Sequence, residues 1–330
     1  ARPIAPPWER VMNDPGSQSP QPAPTQAFRH VMACIGLSPS AGLVAREAAR
    51  LASACNARLS ILHVGDQREA VEAIVREAGR DEPSLTTTEV IGQSGRPDQV
   101  ILDVARRIDA DLVFAGALRT DPLLTGILGS VARRLARNAD RSLFLSIHRF
   151  PPDSVARSIV TSVTFDDRSR AMLQAAARLA IGTRAKELHV VREYNPYSTR
   201  VSETTGSAGA DPARWLPVLE TATRFELANF IEETARRLSL VDPAAVLANA
   251  GVTLRTECMP GRGGEEVTRY AESVGADLLV MPAPERRLGL LDRFFGHPTE
   301  TLLEQFPCSV LLFRRLRKGE SADPAPGAAP

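Results

Sequence analysis

The sequence predicts an α/β protein made of two repeated, open and mostly parallel five-stranded sheets with helices on both faces. Two observations predict this fold class. Stretches of the first part recur later in the same order, and each copy alternates short apolar runs with segments of helical periodicity. Such alternation is typical of parallel strands joined by crossover helices, and the ordered recurrence indicates a duplicated domain.

The duplication is visible in two matched blocks. The stretch AARLA at residues 48–52 recurs at residues 176–180, an offset of 128. The stretch ADL at residues 110–112 recurs at residues 276–278, an offset of 166. The offset grows by 38 residues between the blocks, so the second copy carries an insertion of that length.

These offsets predict the domain boundaries. The first domain is expected at residues 28–149 and the second at residues 150–317, with a helical insertion around residues 194–245. Residues 1–27 and 318–330 are rich in Pro, Ala, Gly and Ser and poor in large apolar groups. They are therefore expected to be disordered tails.

In the first copy each element has its own signal. Apolar runs of buried-strand length predict strands at residues 30–37, 58–64, 84–92, 111–117 and 142–147. Apolar residues spaced by three and four predict helices at residues 41–55, 67–79, 96–110 and 129–139. The second copy repeats the order from a strand at residues 158–165 to a strand at residues 309–313.

Composition excludes several function classes. The chain has 40 Lys plus Arg against 39 Asp plus Glu, a formal charge of +1, so no nucleic-acid partner is expected. It has neither a run of eighteen apolar residues nor a secretion signal, which predicts a cytoplasmic protein without a membrane partner. The four cysteines are widely spaced and form no Cys-x-x-Cys pair, and the histidines are scattered, so no metal site is predicted.

Several stretches of the first copy together resemble the universal stress protein family. They are the Ser-rich turn after strand one (GLSPS, residues 36–40), the strand end LHV at residues 62–64, the strand ADLV at residues 110–113, Gly116, and Gly129-Ser130. The whole chain without its tails resembles a tandem pair of such domains. The resemblance implies an open parallel sheet that binds an adenine nucleotide at the carboxyl ends of its strands.

The resemblance also implies which residues form the nucleotide site of the first copy. ATP-binding members carry Gly, two residues, Gly, nine residues, then Gly followed by Ser or Thr. Gly116 and Gly129-Ser130 match this signature, while Arg119 stands where the second Gly belongs. The residues implied to contact phosphates are Gly116, Arg119, Gly129, Ser130 and Val131. Those implied to lie at the base or ribose are Ile35, Gly36, Leu37 and Val64, with Gly36 in place of a family Asp.

The second copy departs further from the signature. Pro282 replaces the first Gly, Glu285 stands at or next to the second, and Gly296-His297-Pro298 replaces Gly-Ser. A proline removes one of the few N–H donors at a helix start, and a carboxylate repels phosphate. The second copy is therefore expected to bind no nucleotide triphosphate, and Thr164 at the end of its first strand also lacks the carboxylate.

Some of these motifs also allow a purely structural interpretation. Gly129-Ser130 also suits a simple turn with a helix N-cap. The glycine-rich GRGGEE at residues 261–266 invites a phosphate-loop interpretation, but a local turn before a helix is favoured. No nucleophile, acid/base pair or other catalytic arrangement is recognised, so at most a slow ATPase is expected.

Partners follow from the resemblance and from the insertion. Family members pair through their last strands, so the two copies are expected to form a pseudo-dimer within one chain, and a homodimer of chains is possible. In the insertion, an apolar stripe predicts a helix that packs on its own domain, with a contact to a second chain or an unknown protein as the alternative. The stripe comprises Trp215, Leu216, Leu219, Ala222, Phe225, Leu227, Phe230 and Ile231.

Two functions are thus predicted in order of preference. The first is a tandem universal stress protein, a stress-response regulatory or protective module that binds ATP in its first domain and has a degenerate second site. The alternative is a nucleotide-free protein-interaction or scaffold module in which both sites are degenerate.

Overall fold

The computed structural model describes residues 26–116, 130–147, 149–151, 154–196, 212–237, 243–261, 263–283 and 307–315. The described residues do not include most of either expected tail. They also do not include Arg119, Gly129, Glu285 or residues 296–298.

The first half alternates strands and helices in the order that the periodicity predicts. Its elements are β1 (His30–Cys34), α1 (Ala41–Ala54), β2 (Arg58–Val64), α2 (Arg68–Ala78), β3 (Glu89–Gln93), α3 (Pro97–Arg107), β4 (Leu112–Gly116), α4 (Ser130–Asn138) and β5 (Ser142–Ser146). The strand expected at residues 84–92 begins only at Glu89, since Pro83–Leu85 form a single 3₁₀ turn.

The second half repeats this order and adds the insertion after its second strand. Its elements are β6 (Ser158–Ser162), α5 (Asp167–Thr183), β7 (Glu187–Tyr194), α6 (Pro212–Arg236), α7 (Pro243–Asn249), β8 (Thr253–Pro260), α8 (Glu265–Ser273), β9 (Leu278–Pro282) and β10 (Ser309–Phe313).

The two five-stranded sheets join into one sheet of ten strands, in the order β3-β2-β1-β4-β5-β10-β9-β6-β7-β8. Within each half, neighbouring strands run parallel. The last strands of the halves, β5 and β10, pair antiparallel, with Leu311 opposite Phe144. The expected pseudo-dimer within one chain is therefore present, and the two apolar edge strands cover each other.

Helices cover both faces of this sheet. The first face carries α1, α2, α5 and α6, which bury residues such as Val44, Met172 and Leu227 against alternate strand positions. The second face carries α3, α4 and α8, which bury residues such as Leu135 and Val267. Because successive strand residues point to opposite faces, each strand supplies both cores.

An aspartate in each half fastens the amino end of the first strand. The Asp111 carboxylate accepts hydrogen bonds from the backbone N–H groups of Arg29, at 3.0 Å, and His30, at 2.9 Å. The Asp277 carboxylate accepts the equivalent bonds from Arg157, at 2.7 Å, and Ser158, at 3.1 Å. The repeated ADL sequence thus makes the same backbone hydrogen bonds in both halves.

The linker between the halves is held against α1 by a buried carboxylate. Glu47 accepts hydrogen bonds from Ser146 Oγ, at 2.7 Å, and from the backbone N–H of Phe150, at 3.0 Å. Phe150 packs edge-on against Phe114 and Phe144. The linker is therefore part of the first core.

The inserted helix α6 packs on its own half, but along a stripe rotated from the expected one. Leu227, Phe230 and Ile231 are buried, whereas Ala222 is exposed and Phe225 is 69% exposed. Thr223 is buried instead, because its hydroxyl donates to the Leu219 carbonyl, at 2.8 Å, and so needs no water. Among the described residues no helix is both long and apolar enough to cross a membrane.

Candidate functional site

The first half has a topological switch point between β1 and β4. The chain leaves β1 toward α1 on the first face, and the helix that follows β4, α4, lies on the second face. Neighbouring parallel strands whose connections go to opposite faces leave a crevice at their carboxyl ends, where ligands of such sheets bind. Of the site residues predicted from the sequence, those that end β1, β2 and β4 lie at this edge in the described part of the chain.

The exit from β1 is held in place by two hydrogen bonds. The Ile35 N–H donates to the Leu62 carbonyl at 2.9 Å, and His63 Nδ1 lies 2.9 Å from the Ile35 carbonyl oxygen. Since a carbonyl only accepts, His63 Nδ1 carries the proton. Ile35 is buried, but Gly36 is exposed and Leu37 is 45% exposed. Gly36 and Leu37 are therefore accessible to a ligand.

Val64 lies beside this exit. Cys34 pairs with Leu62 in the register of β1 and β2, so Val64 stands level with Gly36. Its side chain is half-buried against the second core. The chain turns away directly afterwards at Gly65, with φ +146°, where a Cβ would lie 2.9 Å from His63 Nε2. A side chain at this position would be strained, so the turn that follows Val64 favours glycine.

Gly116 ends β4 on the other side of β1. Because Cys34 pairs with Ala115, Gly116 stands level with Ile35. Gly116 is exposed toward the edge, and α1 approaches its Cα so closely that an added Cβ would lie 2.5 Å from Val44 Cγ2. Glycine is needed here to let the helix approach.

Helix α4 begins at Ser130 on the second face. Ser130 is exposed, Val131 packs against the second core, and the first turn contains no acidic residue. The first N–H groups of a helix have no partner within the helix and carry partial positive charge. The structure thus brings Ile35, Gly36, Leu37, Val64 and Gly116 to one edge and starts α4 in the segment that follows β4.

The second half has the same edge with different residues. The Val163 N–H donates to the Val191 carbonyl at 2.9 Å, as Ile35 does to Leu62. This equivalence places Thr164 at the position of Gly36 and Glu193 at the position of Val64. Pro282 ends β9 where Gly116 ends β4.

Glu193 places a carboxylate at this edge of the second half. Its Oε2 accepts the Gly264 N–H at 2.6 Å and its Oε1 accepts the Glu266 N–H at 3.3 Å. These groups belong to the GRGGEE loop and the first turn of α8, so the anion-binding groups of this loop already hold a carboxylate of the protein. A Cβ at Gly261 would lie 2.6 Å from Glu193 Oε1, which shows how tightly the loop surrounds it.

Sequence reasoning missed Glu193. In the second strands of the two halves, LHV at residues 62–64 aligns with VRE at residues 191–193. These triplets share no residue, and neither matched block of the repeat includes them. The alignment therefore follows only from the hydrogen-bond register.

Aromatic and arginine side chains close the first-face side of the second crevice. Arg192 Nη1 donates to the Val163 carbonyl at 3.2 Å, and its guanidinium carbon lies 4.7 Å from the centre of the Phe165 ring. Phe165, at φ 64°, in turn contacts Phe230 of α6, with ring centres 5.4 Å apart. The insertion thus contacts the exit of β6 at Phe165, whereas the equivalent Leu37 is exposed.

Other reactive groups in the described part of the chain are not arranged for catalysis. His189 is buried between Tyr270 OH, at 2.8 Å, and Glu187 Oε2, at 3.1 Å. Burial raises the pKa of the Cys34 thiol to about 12, so it is protonated at neutral pH. No group of three His, Cys, Asp or Glu side chains within these residues is placed to hold a metal ion.

Comparison with known proteins identifies similar sequences and structures. The family model described as "Universal stress protein family" matches residues 27–145 and 156–314. Comparison with curated proteins gives no match. A solved structure of a functionally unknown protein from Pseudomonas aeruginosa PAO1 is 19% identical, aligns over 88% of this chain and 94% of its own, and has a TM-score of 0.58. A universal stress protein from Archaeoglobus fulgidus DSM 4304 is 15% identical, aligns over 88% and 97%, and has a TM-score of 0.54.

Proposed function

The chain belongs to the universal stress protein family as a tandem pair of its domains, and from this premise we propose that its first half binds an adenine nucleotide, ATP. The second half binds none. In this proposal the protein is a cytoplasmic regulatory or protective module of the stress response, which responds to the nucleotide without turning it over rapidly.

One contrast carries the proposal. At the same position of the sheet edge the first half has the apolar Val64, while the second half has the Glu193 carboxylate bound to the start of α8. An apolar side chain suits contact with a nucleotide base, whereas a carboxylate at the same position does not and also repels the phosphates of a nucleotide nearby. This contrast supports assigning the nucleotide to the first half and none to the second.

The residues of the first half divide into two roles in this proposal. Val64 and the backbone of residues 35–37 contact the base and ribose. Gly116, Gly129, Ser130 and Val131 contact the phosphates, with the Ser130 hydroxyl and the first N–H groups of α4 as donors. Arg119 adds a guanidinium that suits a phosphate oxygen.

Isothermal titration with ATP tests the proposal. We expect one ATP per chain for the natural sequence, and affinity weaker by roughly tenfold or more for Ser130→Ala, because a hydrogen bond to a charged phosphate is lost. Val64→Glu transfers the side chain of the second half to the first and is expected to abolish binding.

A matched control separates the site from general effects of mutation. Ser162→Ala removes a serine at the end of β6 in the second half and should leave both affinity and stoichiometry unchanged. Absence of heat with the natural sequence, or two ATP per chain, would contradict the proposal.

The alternative function is a nucleotide-free interaction module. Gly36, where the family has an acidic contact, favours it, and so do the exposed apolar residues Val218 and Phe225 of α6. The binding partner is then a second copy of the chain, which forms a homodimer, or another protein. Mass spectrometry of small molecules released by denaturing the purified protein distinguishes the two functions, since the alternative predicts no nucleotide.

A further inference from the structure

The two halves differ at the amino ends of their last strands. The strand register places Ser142 of β5 and Ser309 of β10 beside the leucine of the ADL sequence in their own halves. Arg141 and Cys308, which directly precede these serines, therefore occupy equivalent positions. A long cationic side chain in the first half is thus replaced by a short uncharged one in the second.

In the first half, the guanidinium of Arg141 occupies this place. Its Nη1 donates to the Ala110 carbonyl at 3.0 Å and lies 3.4 Å from Asp109 Oδ1. The side chain is only 12% exposed. The amino end of the sheet in this half therefore accommodates a planar cation with several donors.

In the second half, the same place is a cavity. Gly275 stands where the first half has Asp109, and both have a positive φ, 60° and 51°. With both charged side chains replaced, a cavity of about 140 Å³ lies here. Ala276, Asp277 and Cys308 line it on the sheet side, and Phe150 and Val155 on the linker side. Since a cavity of about 150 Å³ holds one benzene molecule, this one has room for a guanidinium with a small substituent.

Asp277 provides a carboxylate at this cavity. Its Oδ2 accepts the backbone N–H groups of Arg157, at 2.7 Å, and Ser158, at 3.1 Å. Among the described residues nothing donates to its Oδ1 and no side chain forms an ion pair with it. In the first half, by contrast, both oxygens of Asp111 accept backbone hydrogen bonds. The cavity therefore has a carboxylate oxygen that a cation can use.

The other charges at the cavity leave this carboxylate available. Burial raises the pKa of Glu47, and the positive charges of Arg50 and Arg149 oppose that rise, so Arg149 of the linker has an acidic neighbour of its own. Burial, together with the charge of Asp277, raises the pKa of the Cys308 thiol to about 12, so this thiol is neutral at physiological pH. The carboxylate of Asp277 is then the charge for a ligand to neutralise.

We propose that this cavity binds a small molecule that carries a guanidinium group, with the cation in the place that Arg141 fills in the first half. The cation pairs with Asp277 Oδ1 and donates to the Ala276 carbonyl, as Arg141 does to the Ala110 carbonyl. The Phe150 ring on the linker side suits the weakly hydrated face of the cation. This site is separate from the nucleotide site proposed for the first half.

A ligand-detected NMR titration of the full chain with methylguanidinium, at constant ionic strength, tests the proposal. We expect a dissociation constant of about 1 to 10 mM, because a ligand of this size makes few contacts. Methylurea has nearly the same shape but no charge. It should bind at least tenfold more weakly, because it cannot pair with the carboxylate.

Two variants locate the binding. Asp277→Asn removes the charge but keeps an oxygen for the two strand N–H groups, so methylguanidinium should bind at least tenfold more weakly. Cys308→Arg restores the arginine of the first half and should abolish binding, because its own guanidinium then fills the cavity. Asp81→Asn, at a side chain that is 75% exposed, is the matched control and should leave the affinity unchanged.

Melting temperatures show whether the variants are folded. Absence of binding to the natural sequence, or equal affinity for methylguanidinium and methylurea, overturns the proposal. Unchanged affinity in folded Asp277→Asn or in folded Cys308→Arg overturns it as well. The comparison of the two compounds uses the natural sequence, so it decides the outcome even if neither variant folds.

Discussion

Replacing Gly116 by alanine is expected to destabilise the protein through a single contact. The added Cβ would lie 2.5 Å from Val44 Cγ2 and 3.3 Å from Val44 Cγ1. Val44 is 5% exposed and β-branched, so it has no free rotamer into which to move. Overpacking of this kind costs about 1 to 3 kcal/mol of the free energy of unfolding.

A double-mutant cycle isolates that contact. Val44→Ala alone loses two buried methyl groups and is expected to cost about 1 to 3 kcal/mol. In Gly116→Ala/Val44→Ala the new methyl group occupies the space that valine leaves. The double variant should therefore be more stable than the sum of the single losses by about 1 to 3 kcal/mol.

Urea denaturation measures the cycle, and Gly36→Ala provides its control. An added Cβ at Gly36 meets no atom within 4 Å, so that variant should stay within about 0.5 kcal/mol of the natural sequence. Additive losses in the double variant, or equal midpoints for Gly116→Ala and Gly36→Ala, would refute the close approach of α1 to the site edge.

Three further predictions concern buried polar groups. Glu193→Ala should lower the free energy of unfolding by about 2 kcal/mol, because two N–H groups at the start of α8 lose a charged acceptor. Glu193→Gln keeps an acceptor and should lower it less. Equal urea midpoints for the two variants would contradict this. Burial raises the pKa of Glu47, so the folded state binds this proton more tightly than the unfolded chain and the stability from this group falls as pH rises through the folded pKa. Glu47→Gln should therefore flatten the fall in melting temperature between acid and neutral pH, and an unchanged slope would count against it. Cys55 and Cys308 are buried, and burial raises the pKa of both thiols to about 12, so thiol reagents should label these two rapidly only after denaturation.

Much of the fold could be predicted because its signals are local or repeated. Apolar runs and helical spacing identify the strands and helices, and the two blocks of the repeat identify the duplication. The start of β3 was wrong by five residues, since Thr86 Oγ1 donates to the Pro83 carbonyl, at 2.8 Å, and Thr88 Oγ1 to the Ser84 carbonyl, at 3.1 Å. Such local hydrogen bonds compete with strand pairing, and β-propensity alone does not register them.

The site was less predictable because its chemistry depends on long-range contacts. The glycine signature pointed to Gly116 and Ser130, and these remain predictions for nucleotide binding. Glu193 went unnoticed because its contact with Gly264 joins residues 71 positions apart in strand and loop. Its equivalence to Val64 follows from the backbone register, and residue matches between the two copies do not reveal it.

The antiparallel pairing of β5 with β10 turns the two halves head to tail. All strands of the first half therefore end on one rim of the molecule, and all strands of the second half end on the opposite rim. Ligands that bind at the strand ends of the first half and of the second half would approach from opposite sides and would not compete for space. Duplication has in this way placed the strand ends of the two halves at opposite edges of one sheet, with Val64 at one edge and Glu193 at the other.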